Sequence, residues 1–176
     1  MTVSDRIKLG VSSCLLGDKV RYDGKHKYFA GLYQGLSDEF VFQGFCPEVA
    51  VGMGVPRPPI QLVQCQQGIE ACDVVDSNIM WTQQLTDYAQ QEAATHIAKL
   101  SGFIFKKNSP SCAPGALKIF DTRGRILHQN GVGIFANVIQ QQFPQLPVID
   151  ETGFANAIQR DRFVQDVRVY YKKSLM

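Results

Sequence analysis

At 176 residues and a formal net charge of +2, the chain is long enough for one buried core and too nearly neutral to carry the broad basic footprint of a nucleic-acid-binding protein. No stretch approaches the ~18 consecutive apolar residues of a membrane span, and the opening Met1-Thr2-Val3-Ser4-Asp5-Arg6 lacks the apolar centre of a signal peptide, so a cytoplasmic protein is expected. The five cysteines, an odd number, then read as reduced thiols or ligands, not disulfide partners.

In chain order, residues 7–13 form a nearly unbroken apolar run, which reads as a first strand buried on both faces of a sheet, with Cys14 at its end. Residues 17–27 are polar and glycine-punctuated and hold the turn-prone Arg21-Tyr22-Asp23-Gly24. A short helix is expected over 28–36 and a second strand over 39–45, ending at Cys46. Three prolines and two glycines then crowd residues 52–59, which sets the path of that loop and removes amide donors from it. Residues 60–65 read as a strand, possible at a sheet edge.

A long helix is expected over 76–100, capped by Asp76 or Ser77, with Leu85, Ala89, Ala93, Ile97 and Leu100 on one apolar face. Ser101-Gly102 stops it. A brief buried strand, 103–105, leads to the third cysteine loop, 108–115. Residues 118–127 read as a hairpin around Arg123-Gly124. Gly131-Val132-Gly133 opens a helix over 134–143, followed by a short strand at 148–149 and a last helix over 156–171. This glycine pair lacks the third glycine of a dinucleotide fingerprint and the Gly-Lys-Ser/Thr of a phosphate loop, so a tight turn against the sheet is the better account.

Strands alternating with helices point to an α/β fold: a single Rossmann-like domain over 1–176 with a mainly parallel sheet flanked by helices. Functional loops in such sheets gather at the carboxyl ends of strands. Cys14, Cys46 and Cys112 all lie at such ends, each beside a glycine, a carboxylate or a pair of hydroxyls. One cysteine at a strand end is usually a small core residue. Three that converge read as the ligands of an iron–sulfur cluster. Cys65 and Cys72 fit no motif; they are structural, or one of them supplies a fourth ligand. The histidines His26, His96 and His128 are scattered and show no zinc-finger spacing.

Val11-Ser12-Ser13-Cys14-Leu15-Leu16-Gly17, Val20-Arg21-Tyr22-Asp23-Gly24, Cys46-Pro47-Glu48 and Ser109-Pro110-Ser111-Cys112, in this order and followed by Gly131-Val132-Gly133, resemble the thiouracil desulfidase family over about residues 8–172. The first part also resembles the opening half of longer two-domain bacterial relatives, whose second, helical domain is expected to be absent here. The resemblance implies that Cys14, Cys46 and Cys112 hold a 4Fe-4S cluster with one iron lacking a protein ligand. It also implies that Glu48 and Ser109 are the acid/base residues. The chain departs from the family at Lys107, where serine is usual after the lysine matched by Lys106.

An open iron can bind a soft thiocarbonyl sulfur as a Lewis acid while water attacks the carbon, and that hydrolysis needs a proton carrier such as Glu48. Arg21, Tyr22 and Asp23 are expected to shape the substrate pocket; Arg21 with Asp23 equally reads as a loop salt bridge. The expected activity is non-redox removal of sulfur from a 2-thiouracil-like pyrimidine or a related small thioamide, with release of sulfide. Two alternatives stay open: a non-catalytic iron–sulfur sensor or regulatory module, and a sulfur-transfer enzyme acting on a nucleobase through a local basic patch of Arg57, Lys106 and Lys107.

Overall fold

The computed structural model describes residues 6–34, 36 and 38–175. Residues 1–5, which carried part of the reading against a signal peptide, lie outside them. Among the described residues the strands fall into two four-stranded sheets. The first runs in the order β2 (Phe40–Phe45), β1 (Ile7–Ser12), β5 (Gly102–Phe105), β8 (Val148–Asp150), and every pairing in it is parallel.

Both faces of this sheet are covered, which is why its central strands are apolar throughout. On one face Leu9, Val11 and Ile104 pack against Phe163, Val164 and Val167 of the last helix, α6 (Ala157–Ser174). On the other, Phe103 and Phe105 meet Ala89 and Ala93 of helix α3 (Thr82–Thr95) and Phe135 and Ile139 of helix α4 (Ile134–Gln142). Each fully buried side chain of this size contributes about 1.5–3 kcal/mol. Gly10 of β1 leaves room for that second layer: a Cβ there would stand 2.4 Å from the Phe103 ring.

The expected α/β fold with a mainly parallel sheet flanked by helices is present. The second sheet was not expected as a separate unit. It runs β4 (Gly68–Asp73), β3 (Ile60–Cys65), β6 (Leu117–Phe120), β7 (Ile126–Gly131), with β3 and β6 parallel and both outer pairs antiparallel. Strand β3 is therefore interior. Its prolines, Pro56, Pro58 and Pro59, all precede it, so its ladder of amides is intact.

Strand β4 lies in a stretch to which the sequence reading gave no element, and the long helix after it starts at Thr82 and not at Asp76. Aspartates here close turns instead of capping the helix: Asp73 Oδ1 accepts from the amides of Val75 and Asp76, and Asp76 Oδ1 accepts from that of Asn78. The helix ends at Thr95, and a 3-10 turn, Ile97–Lys99, brings Ile97 into the core. The short helix expected over 28–36 is a 3-10 turn, Ala30–Leu32.

Helix α5 (Glu151–Ala155) was also not anticipated; it is set by Asp150, whose Oδ1 accepts from the amides of Thr152 and Gly153 at 2.9 and 2.8 Å. Burial alone would raise the Asp150 carboxyl, but these hydrogen bonds, the Thr152 hydroxyl and Lys107 outweigh it and hold the group below its ordinary range. A depressed folded value contributes stability above the unfolded carboxyl's range and loses it as pH falls through the folded value. Asp150→Ala is expected to cost about 1 kcal/mol at neutral pH, a difference that shrinks on acidification. Urea titrations of both proteins at neutral and acid pH check this.

Candidate functional site

The first sheet reverses direction at β1: the chain places β2 on one side of it, then crosses to β5 on the other. Open α/β sheets hold ligands outside the carboxyl ends of strands at such a reversal. A cavity of about 480 Å³ lies there, and Cys14, Cys46 and Cys112 all line it.

Cys14 sits in the one-turn helix α1 (Ser13–Leu16) directly after β1, and Cys46 caps the one-turn helix α2 (Pro47–Ala50) directly after β2. Cys112 arrives seven residues after β5, in a turn where the amide of Ala113 donates to the Ser109 carbonyl at 2.9 Å. Ser12 Oγ accepts from the Lys106 amide at 2.9 Å and so ties the ends of β1 and β5 together under the cavity.

The turn carrying Cys112 is held from behind by helix α4. The amides of Ile134 and Phe135 donate to the carbonyls of Pro110 and Ser111, both at 3.0 Å, and that of Gly133 donates to Ala113 at 2.9 Å. The first amides of this helix are thus spent on the cysteine turn; Gly131 ends β7 and Gly133 enters the helix with extended backbone, so the tight turn expected at Gly131-Val132-Gly133 is not formed. A Cβ on Gly133 would lie 2.5 and 2.6 Å from the carbonyl carbon and oxygen of Ser111.

Burial pushes the Cys14 thiol up to about 11; Lys106 and Arg21 pull it down, and Cys46 and Glu151 push it further up. Cys46 is also raised by burial, against the Val49 amide and Arg57. Cys112 is raised well above its ordinary value, by burial and then by the charges of Glu48 and Cys46, while the Ser12 hydroxyl acts the other way. Binding of a cationic centre would release the thiol protons. Cys65 and Cys72 lie in the β3–β4 hairpin and do not line the cavity.

Glu48 stands in the first turn of α2, in the cavity wall. Its Oε2 accepts from Arg57 Nε and Nη2 at 2.9 and 2.7 Å, and its Oε1 accepts from Ser111 Oγ at 2.9 Å. Ser109 also lines the cavity, and its Oγ accepts from the Cys112 amide at 3.1 Å. Arg21 and Tyr22 also line the cavity, with the Arg21 guanidinium 5.3 Å from the centre of the Tyr22 ring. Asp23 does not line the cavity; it pairs with Arg21 at 3.2 Å, as the salt-bridge reading had it.

Sequence reasoning gave no site role to Ser111 and named Arg57 only in the local basic patch of the sulfur-transfer alternative. The Arg57 side chain is only 4% exposed and is bound to Glu48, while Lys106 pairs with Glu151 of α5. The only local signal for Ser111 was its place inside the third cysteine motif. For Arg57 there was none, because its partner lies across a loop.

The model of the 2-thiouracil desulfurase family matches residues 9–151. The chain is 29% identical over 140 residues to the uncharacterized protein YbbK of Bacillus subtilis (strain 168), an alignment that covers 74% of this chain and 88% of YbbK. Its fold is similar to that of the [4Fe-4S]-dependent thiouracil desulfidase TudS, with a TM-score of 0.64 and 28% identity over 85% of this chain and 94% of that one. Among the described residues, no three His, Cys, Asp or Glu side chains are placed to share one metal ion, and no helix is long and apolar enough to cross a membrane.

Proposed function

The chain belongs to the 2-thiouracil desulfurase family, a family of desulfidases, and from that membership we propose that it removes sulfur from 2-thiouracil or a closely related thiopyrimidine with the help of a 4Fe-4S cluster. The observation that carries the proposal is the lining of one cavity by Cys14, Cys46 and Cys112 together with Glu48 and Ser109. The donor set fits such a cluster: a polynuclear group takes its thiolates on separate irons, so they stand further apart than the ligands of a single ion. Cys14, Cys46 and Cys112 would hold it, and with no fourth cysteine in the cavity lining one iron is left without a protein ligand.

When bound, the cluster supplies a Lewis acid and a soft acceptor for the thiocarbonyl sulfur. The remaining roles fall to side chains. Glu48 takes a proton from the attacking water and returns it to the ring nitrogen or the departing sulfur. Ser109, whose oxygen is engaged by the Cys112 amide, keeps its own O–H to donate and so orients the water. Arg21 and Tyr22 flank the pyrimidine, with Asp23 holding the Arg21 guanidinium in place. The balance is thiouracil plus water giving uracil plus hydrogen sulfide, with no net change of redox state.

Anaerobically reconstituted protein incubated with 2-thiouracil is expected to give uracil and sulfide in equal amounts. A fully loaded protein that released no sulfide from any thiopyrimidine would sink this reading.

A further inference from the structure

Glu48 is held by two side chains, Ser111 of the third cysteine motif and Arg57, which belongs to none of the three. The Arg57 guanidinium makes four hydrogen bonds: Nε and Nη2 to Glu48 Oε2, Nη2 also to the Val20 carbonyl at 3.0 Å, and Nη1 to the Gly54 carbonyl at 2.8 Å. In the same residue the backbone amide donates to the Tyr22 carbonyl at 2.9 Å. A side chain 4% exposed with its donors committed in this way has one rotamer. The carboxylate it grips is 13% exposed and faces the cavity. On the opposite oxygen, the fully buried Ser111 fixes the rotation of the carboxyl plane.

We propose that Arg57 is a positioning residue for the reaction: by holding Oε2 from one side while Ser111 holds Oε1 from the other, it fixes the Glu48 carboxylate at the angle from which it meets the attacking water. The proposal rests on the acid/base reading of Glu48. A planar fork with donors set at fixed angles can grip Oε2 and two carbonyls at once; an ammonium on a flexible stem cannot. Misplacement of a reacting group by about 1 Å can cost on the order of 10²-fold in rate. Ser111 suits the second grip because its buried hydroxyl donates to Oε1, the oxygen that Arg57 leaves free. Substitution of the Arg57 side chain keeps the backbone bond to the Tyr22 carbonyl and removes the one to the Val20 carbonyl, so KM is followed beside kcat.

The test is a double-mutant cycle on reconstituted protein with 2-thiouracil as substrate, using Arg57→Lys, Glu48→Gln and the pair, with Ser111→Ala as an independent release of the other oxygen. Iron and sulfide content, and thermal melting of the apoprotein, are measured on each. The expected result is that Arg57→Lys lowers kcat by about 10- to 100-fold with KM changed less than about threefold, at wild-type iron content. In the Glu48→Gln background the same change is expected to cost less than about threefold, because residues that act through one another are not additive. Ser111→Ala is expected to lower kcat in the same way, and Ser111→Thr to restore part of it. Equal losses from Arg57→Lys in both backgrounds, or loss of iron in parallel with kcat, would overturn the proposal and leave Glu48 as the acid/base. Full activity in Glu48→Gln would overturn the underlying reading instead.

Discussion

In the Glu48→Gln protein, turnover of 2-thiouracil is expected to fall by about 10²–10⁴-fold, the range that a positioned proton carrier contributes, while iron and sulfide content stay at the wild-type level. Glutamine is nearly isosteric. Its amide oxygen can still accept from Arg57 and its amide nitrogen can donate to Ser111, so the wall of the cavity is retained. What is lost is the capacity to carry a proton. The contrast is with Cys112→Ser, in which iron content and turnover are expected to fall together. Iron and acid-labile sulfide counting beside single-turnover assays separates the two classes. Wild-type rates in Glu48→Gln would remove Glu48 from the chemistry and leave the cavity as a cluster site of another kind.

The second large effect is expected directly behind the third cysteine turn. Gly133→Ala should cost at least about 1–3 kcal/mol of apoprotein stability and sharply reduce the iron the protein retains. The new methyl group would meet the carbonyl of Ser111 and the amide of Cys112, 2.8 Å away, and neither is the movable end of a side chain. Either helix α4 backs off, losing the bonds from Ile134 and Phe135 to the cysteine turn, or the turn moves into the cavity. For a chain of this size each kcal/mol lowers the melting temperature by about 2–4 °C. Differential scanning calorimetry of the apoprotein with iron counting after reconstitution measures both effects. Retained stability and full iron loading would show that the turn accommodates the methyl.

These two predictions draw on different layers of information. Glu48 could be singled out from Cys46-Pro47-Glu48 because a carboxylate two residues from a cysteine shares its turn wherever that turn lies. Gly133 reads from the sequence as part of a tight turn, and not as the partner of Ser111. That approach exists only once α4 has packed behind the third cysteine turn. The same division runs through the fold. Apolar runs at 7–13 and 103–105 mark strands buried on both sides, whereas the 68–73 strand, with Glu70 and Asp73 in it, carries no such mark and shows itself only by pairing with β3. The expected cap at Asp76 failed because an aspartate side chain closes turns and helices alike, and Asp73 nearby had already drawn the chain into a turn.

What the sequence by itself determined was the α/β alternation, the cysteines near the ends of three strands that prove to be parallel neighbours, and the motif set of the desulfurase family. Strand burial and turn chemistry are decided by residues a few positions apart, so they can be read from a linear string. Only the tertiary structure decided that the strands divide into two sheets, that Asp23 pairs with Arg21 and does not itself line the cavity, and that Glu48 is held by Arg57 nine residues along and by Ser111 sixty-three residues away. Those contacts follow from the paths of loops over a finished sheet. A guanidinium or a hydroxyl has many possible partners, and which one it meets is settled when the elements pack.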